Sequence, residues 1–252
     1  RQCRSRLFME PSLTNTADIS AATPAQDTTG RRADRDGPAA SDATGPERAP
    51  FRPYRDGGKR VLDLVLVLAS GLICVPLILL LAVLIARDGH SPFFRQRRVG
   101  RNGELFDMLK LRTMVPDAEA RLRDIVAGDP EAAQEWHVRQ KLRRDPRVTR
   151  IGVFLRRTSL DELPQLWNVL RGDMALVGPR PMMPNQRELY PGSAYYLLRP
   201  GITGLWQVSE RNHDTFAGRA AYDELYAAEL TLWLDLKTLA RTVKAVARGT
   251  GC

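Results

Sequence analysis

Residues 61–86, VLDLVLVLASGLICVPLILLLAVLIA, are 26 residues with a single charge, Asp63. No other feature limits so severely what the chain can fold into. About 20 consecutive apolar residues suffice to cross the hydrocarbon layer of a bilayer, and globular cores rarely contain a helix apolar on every side. The flanks are basic at both ends, with Arg52, Arg55, Lys59 and Arg60 before the run and Arg87, Arg95, Arg97 and Arg98 after it. A spanning helix concentrates Lys and Arg on its cytoplasmic side, so this symmetry predicts that both ends stay on that side. Pro76 lies within the run, where it removes a helix hydrogen bond and bends the axis. The pattern predicts a helix, a break and a second helix that dips into one leaflet and returns. A straight span with a mild kink is the alternative.

Residues 1–58 are rich in Ala, Thr, Pro, Asp, Arg and Gly without a sustained apolar period. Such a segment buries too little to offset its ordering entropy and is expected to be disordered. The chain carries 38 Lys and Arg against 29 Asp and Glu, a formal charge of +9, and the first 58 residues are nearly neutral. The basic excess therefore belongs to the part that folds, and it fits anionic lipid, a phosphorylated substrate or nucleic acid. Cys3, Cys74 and Cys252 stand far apart, and no Cys/His cluster has zinc spacing. That usage suits a reducing, cytosol-facing compartment.

Beyond the apolar run, residues 91–114 alternate as strands around Asn102-Gly103, which predicts a β-hairpin. Residues 116–142 are polar and helix-forming. Five prolines between Gly178 and Gly204 (Pro179, Pro181, Pro184, Pro191 and Pro200) predict a looped segment with fixed turns. Residues 216–248 predict one or two amphipathic helices. Their basic and apolar tail suits either an anionic membrane surface or an ordinary core-facing role.

The chemistry concentrates in residues 156–181, RRTSLDELPQLWNVLRGDMALVGPRP. Asp161 and Glu162 are adjacent carboxylates with Arg156 and Arg157 just before them, and Gly178-Pro179-Arg180-Pro181 is a rigid turn fixing another guanidinium. Ser159 is expected to cap a helix continuing through Leu163, Leu166, Trp167 and Leu170, with the acidic pair in its first turn. Carboxylates beside arginines at a helix start suit a metal-bound phosphoryl group. The competing reading is structural, since Ser159-x-x-Glu162 is also a capping box.

Five blocks in order resemble one known family: Lys59-Arg60-x-x-Asp63, Pro92-x-x-x-Gln96-x-Arg98-x-Gly100, Lys110-x-Arg112-Thr113-Met114, SLDELPQLWNVLRGDMALVGPRP and RPGITGLWQVSERN. From about Lys59 to its C-terminus the chain resembles bacterial sugar transferases, the small monotopic polyprenyl-phosphate phosphoglycosyl transferases. The resemblance implies transfer of a hexose 1-phosphate from a UDP-sugar to undecaprenyl phosphate, with UMP released, to start an exopolysaccharide or other surface glycan. By similarity Asp161 is the nucleophile that forms an aspartyl-phosphosugar, and Glu162 its metal or proton partner. Mg²⁺ held by Asp161 and Glu162 is the implied cofactor. Arg156 and Arg180 are expected to hold phosphate oxygens. Lys110 and Arg112 are further phosphate or nucleotide candidates, although basic residues beside a membrane also meet lipid headgroups. Two departures stand out. The family's Ser-Pro in the membrane segment is Val75-Pro76 here, and its Val-Ser-Gly-Arg is Val208-Ser209-Glu210-Arg211.

The expected fold class is α+β, mainly helical: a monotopic membrane protein with one re-entrant helix, amphipathic surface helices and a small β-hairpin. Its expected parts are a disordered tail (1–58), a membrane helix (59–90) and a catalytic domain (91–252) facing the cytoplasm at the bacterial inner membrane. Expected partners are the UDP-sugar donor, the polyprenyl phosphate acceptor, membrane lipid and a second copy in a homodimer. Nucleic acid is not expected, because no binding motif appears and much of the basic charge flanks the apolar run. A non-catalytic, membrane-anchored basic scaffold would explain the charge and the run but not the convergence of carboxylates and arginines. A metal-dependent glycosyltransferase with a D-x-D site finds that pattern only at Asp34-Arg35-Asp36, in the tail.

Overall fold

The computed structural model describes residues 52–139, 142, 144–209 and 216–247. Most of the expected tail, and Glu210 and Arg211 of the variant motif, lie outside the described residues. Residues 52–58 are an exception to the expected disorder. Tyr54–Gly58 form a π-helical turn that runs directly into helix α1, Lys59–Ala86.

The apolar run is one helix. The expected break at Pro76 is absent, since α1 is continuous across it. A proline orphans only the carbonyl one turn earlier, and its fixed φ is already helical, so a ring facing outward is tolerated. Pro76 is exposed, as are Leu68, Leu72, Ile73, Leu79, Leu80 and Val83. Among the described residues, the stretch Tyr54–Ala86 is the one helix long and apolar enough to cross a membrane.

Both ends of α1 are fastened to the same folded body. At its start, Lys59 Nζ lies 2.7 Å from Asp235 Oδ2, and the hydroxyls of Tyr54 and Tyr226 donate to that carboxylate at 2.6 Å each. Arg60 donates to the carbonyls of Val169 and Leu170, and Asp63 accepts from the Leu176 amide. At its end, Leu81, Ala82 and Ile85 pack on Leu111 and Leu155, and Arg112 Nη2 donates to the Ile85 carbonyl.

The expected hairpin forms. Strands β1 (Phe93–Val99) and β2 (Leu105–Leu111) pair antiparallel with Phe93 opposite Leu111. Asn102 takes φ 57° and Gly103 φ 78° in the turn, as an Asn-Gly turn requires. The polar stretch that follows makes two helices, α2 (Ala118–Gly128) and α3 (Pro130–Arg139). Asp129, extended before Pro130, separates them, as the residue before a proline favours. Helices α4 (Arg150–Thr158) and α5 (Gln165–Arg171) follow.

The proline-rich segment is not loop throughout. Strand β3 (Ala175–Val177) pairs parallel with β4 (Gly201–Thr203). A Cβ on Gly201 would stand 2.1 Å from the Gly178 amide nitrogen, so glycine permits this crossing. Short helices α6 (Ala194–Leu197) and α7 (Leu205–Val208) flank β4. The chain finishes with α8 (Arg219–Glu229) and α9 (Leu232–Ala247). α9 buries Asp235 and Thr238 against the body and exposes Trp233, Leu236, Val243 and Val246.

Gly152 lies where α4 crosses the end of the hairpin, and a Cβ there would stand 2.0 Å from the Thr113 carbonyl oxygen. Gly152→Ala is expected to destabilise by about 1–3 kcal/mol, as overpacking does. Gly128→Ala, with nothing within 4 Å, serves as the control and should not lower stability. Thermal unfolding of the two variants in detergent checks this; equal midpoints would contradict the packing.

Candidate active site

The acidic pair sits on a hinge between two helices. Thr149 starts α4 by accepting from the Gly152 amide through its hydroxyl, at 3.0 Å. The helix ends at Thr158, and Ser159 takes a left-handed conformation, φ 57°, with its N–H on the Arg156 carbonyl. The expectation that Ser159 caps the next helix is therefore corrected. A residue closing one helix in the left-handed region lacks the extended backbone an N-cap needs, and its side chain makes no cap bond. Leu160–Glu162 form a separate 3-10 turn, and α5 begins only after Pro164. Leu160 packs on the Leu111–Leu155 cluster, which anchors the turn and leaves Asp161 buried and Glu162 half-buried.

Asn168 of α5 fixes this turn against the hairpin. Its Oδ1 accepts from the Leu109 amide at 3.0 Å, and its Nδ2 donates to the Asp107 carbonyl at 2.8 Å. The outer edge of β2 is thereby joined to α5, and Lys110 is brought to the acidic pair. Lys110 Nζ lies 2.8 Å from Glu162 Oε1 and 3.9 Å from Asp161 Oδ2. Burial pushes the Asp161 carboxyl above the ordinary range; Lys110 opposes this, Glu162 adds to it and Arg156 opposes it. Burial likewise lowers the pKa of the Arg156 guanidinium, against the pull of Asp161 and Asp145. Arg156 Nε donates to Thr113 Oγ1 at 2.9 Å.

Two cavities flank the turn, and neighbouring residues divide between them. Met108, Lys110, Glu162 and Gln165 line a polar cleft with Arg98 and Arg180. Leu109, Leu163, Pro164, Leu166 and Trp167 line an apolar groove of about 390 Å³, whose far wall is α1 from Val67 to Ile78. Alternation along β2 sends Leu109 one way and Met108 and Lys110 the other. One strand and one turn thus separate a charged cleft from a greasy groove.

Of the residues expected at the site, Asp161, Glu162 and Lys110 come together, Arg156 stands near Asp161, and Arg180 lines the cleft, exposed. Arg112 does not join them. Its guanidinium donates to the carbonyls of Ser91, Met114 and Ile85 and pairs with Asp88 at 2.7 Å. It ties the end of α1 to the hairpin, a role that the Lys-x-Arg spacing alone does not reveal. Sequence reasoning left out Arg98 as a site residue, although a signal was present. Arg95 and Arg97 of β1 face outward while Gln96 and Arg98 are half-buried, and an arginine on the inward register of a strand is unusual enough to flag.

Among the described residues no three His, Cys, Asp or Glu side chains gather as a metal cage. Asp161 and Glu162 nevertheless offer hard carboxylate oxygens, which suit Mg²⁺. That ion is commonly held by one or two carboxylates and completed by water and substrate phosphates.

Residues 54–249 match the family model described as bacterial sugar transferase. The UDP-galactose-lipid carrier transferase of Erwinia amylovora is 44% identical over 195 residues, and the undecaprenyl-phosphate galactose phosphotransferase of Salmonella typhimurium is 45% identical over 195. In both cases the match covers 77% of this chain and 41% of the relative, so the chain spans about two fifths of their length. The exopolysaccharide production protein ExoY of Rhizobium meliloti is 42% identical over 208 residues, covering 81% of this chain and 92% of that protein. The family match runs from the turn before α1 through α9 and encloses the acidic pair, the cleft and the groove, and the chain belongs to the bacterial sugar transferase family.

Proposed function

We propose that this chain transfers a hexose 1-phosphate from a UDP-sugar to undecaprenyl phosphate, starting a surface glycan such as an exopolysaccharide. The observation carrying the reading is the partition at the acidic turn: a charged cleft lined by Glu162, an apolar groove lined by Leu163, and the buried Asp161 next to them in the chain. The donor is water-soluble and polyanionic, and the acceptor is a phosphate on a long apolar tail. The relatives named for undecaprenyl-phosphate and for exopolysaccharide production support the same substrates.

Asp161 acts as nucleophile. A carboxylate oxygen attacks the sugar-bearing phosphorus, the bond from that phosphorus to the bridging oxygen breaks, and UMP leaves with the electron pair. The acceptor phosphate then attacks the aspartyl-phosphosugar. Its oxygen forms the new bond to phosphorus, the bond to Asp161 breaks, and the carboxylate is restored. Two easier displacements replace one between two anions. Burial supports the role, because a poorly solvated carboxylate is a stronger nucleophile than a hydrated one. Lys110 orients Glu162 and offsets the paired charge, and Arg156 and Arg180 draw phosphate oxygens toward Asp161. Mg²⁺ bound by Asp161 and Glu162 would lower the repulsion between carboxylate and diphosphate.

The membrane reading rests on α1. Both its ends are tied to one body, and its outward face is apolar. A helix sunk into one leaflet, with the catalytic body on the cytoplasmic surface of the inner membrane, satisfies both. The exposed Trp233, Leu236 and Val243 of α9 supply a second apolar contact with the bilayer surface.

Asp161→Asn is expected to abolish lipid-dependent UMP release. It should also leave the thermal midpoint unchanged or raised. The folded-state pKa of Asp161 is raised, so stability is lost as pH rises beyond the unfolded value of about 3.9. At neutral pH the ionised group is a cost that asparagine removes. Substantial turnover in the variant would take Asp161 out of the role. Arg55→Cys and Arg95→Cys, each in a background without native cysteines, should label from the same side of sealed vesicles; opposite-side labelling would establish a span. EDTA should stop transfer and Mg²⁺ restore it, and chelator-insensitive turnover would exclude the metal role.

A further inference from the structure

Near the acidic pair lies a group of guanidiniums of which the proposed chemistry uses only Arg180. Arg98 Nη1 donates to the Pro181 carbonyl at 3.1 Å and Nη2 to Gln96 Oε1 at 2.6 Å. These bonds fix its planar fork beneath the turn that carries Arg180. Arg219, at the start of α8, is stacked on two rings, 4.2 Å from the Trp206 centroid and 4.7 Å from that of Phe216. Stacking of this kind holds a guanidinium in a set plane.

The three charges are poorly compensated. Among the described residues, no carboxylate lies within salt-bridge distance of Arg98, Arg180 or Arg219, and Lys110 is engaged with the acidic pair. Asp223 lies near Arg219 but is bonded to the Tyr190 hydroxyl, and Glu162 acts on Arg98 only at longer range. The Nε atoms of Arg98 and Arg219 are buried without a hydrogen-bond partner among the described residues. Burial first, then Arg180, brings each guanidinium down to about 10, and Arg219 adds to the effect on Arg98. Mutually repelling, partly desolvated cations with unused donors destabilise a fold unless an anion joins them.

We propose that Arg98, Arg180 and Arg219 form a phosphate seat for the nucleotide end of the donor, braced by Trp206 and Phe216. The inference rests on the transfer reading above and adds Arg98 and Arg219 to it. The cleft holds only about 20 Å³, room for little more than a water molecule. A phosphate therefore sits at its mouth, beside the exposed Arg180, with the nucleoside outside. The partition decides between the two phosphates of the reaction. Arg98 and Arg180 share the face of Lys110 and Glu162, and Arg219 acts on both from the start of α8, while an acceptor tail in the groove lies behind Leu109 and Leu163. The seat thus takes the water-soluble substrate and holds the UMP that leaves.

The test uses the full chain in detergent, with UMP and inorganic pyrophosphate as probes in titration calorimetry and with donor and acceptor KM measured separately. Arg219→Gln and Arg180→Gln should each weaken UMP binding and raise donor KM about tenfold, the loss of one charge-assisted hydrogen bond. Acceptor KM should stay within about twofold, and Arg219→Lys should recover part of the loss. Arg180 is exposed, so its variant tests the seat even if replacing a half-buried arginine harms folding; Arg97→Gln, on the outward face of β1, is the control. Unchanged UMP affinity overturns the seat, and a rise in acceptor KM alone reassigns the arginines to the lipid phosphate. If no UDP-sugar supports turnover in the native protein, the transfer reading fails, while the UMP and pyrophosphate titrations still decide whether the seat exists.

Discussion

The attachment of both ends of an apolar helix to one body is the constraint on which the rest depends. A straight helix of this length extends about 40 Å, more than the hydrocarbon layer. Left alone, such a helix would cross the bilayer and separate its ends. Here Asp235 holds Lys59 at one end and Arg112 holds the Ile85 carbonyl at the other. Asp235 is almost fully buried and takes one ammonium and two hydroxyl donors, so its desolvation is offset by a complete set of partners. The exposed leucines of α1 then need an apolar covering while its tethers need a protein surface. An arrangement lying along a membrane boundary, as proposed above, gives each what it needs.

That boundary continues into the site. The transfer proposed above needs one turn that opens to a polar cleft and to an apolar groove. The alternation of β2 provides this without special machinery, since successive residues of a strand face opposite ways. Leu109 belongs to the groove and Lys110 to the cleft, and the turn after Asp161 repeats the division with Leu163 and Glu162. Asn168 keeps strand and turn in register by satisfying the β2 edge. A two-sided site follows from one hairpin, one hinge and one amide.

The acidic pair, its lysine and the hairpin turn were legible in the sequence because each rests on short-range chemistry. Asn102-Gly103 selects its turn by φ alone, and Asp161-Glu162 are adjacent whatever the fold. What was hidden depends on distant partners. Arg112 looks like a phosphate ligand until Ser91, Met114, Ile85 and Asp88 are found around it. Ser159 looks like a helix cap until α4 uses it as a terminator. β3 and β4 are too short and too far apart in sequence for any periodicity to reveal, and they meet because Gly178 and Gly201 allow close approach. Pro76 misled in the other direction, since a proline on the exposed side need not break a helix.

The energetics of the site point one way. Asp161 is buried beside Glu162, Arg98 is half-buried near Arg180, and like charge adds to the cost of burial in each pair. Lys110 compensates Glu162 more closely than Asp161, at 2.8 Å against 3.9 Å. Among the described residues no salt bridge joins these guanidiniums to the carboxylates, which pair with Lys110 instead. Keeping them apart leaves a cationic side and an anionic side across one cleft. In the transfer proposed above, the cations would attract the donor diphosphate and the carboxylate would react with it. A phosphate held between them would offset the repulsion among the guanidiniums.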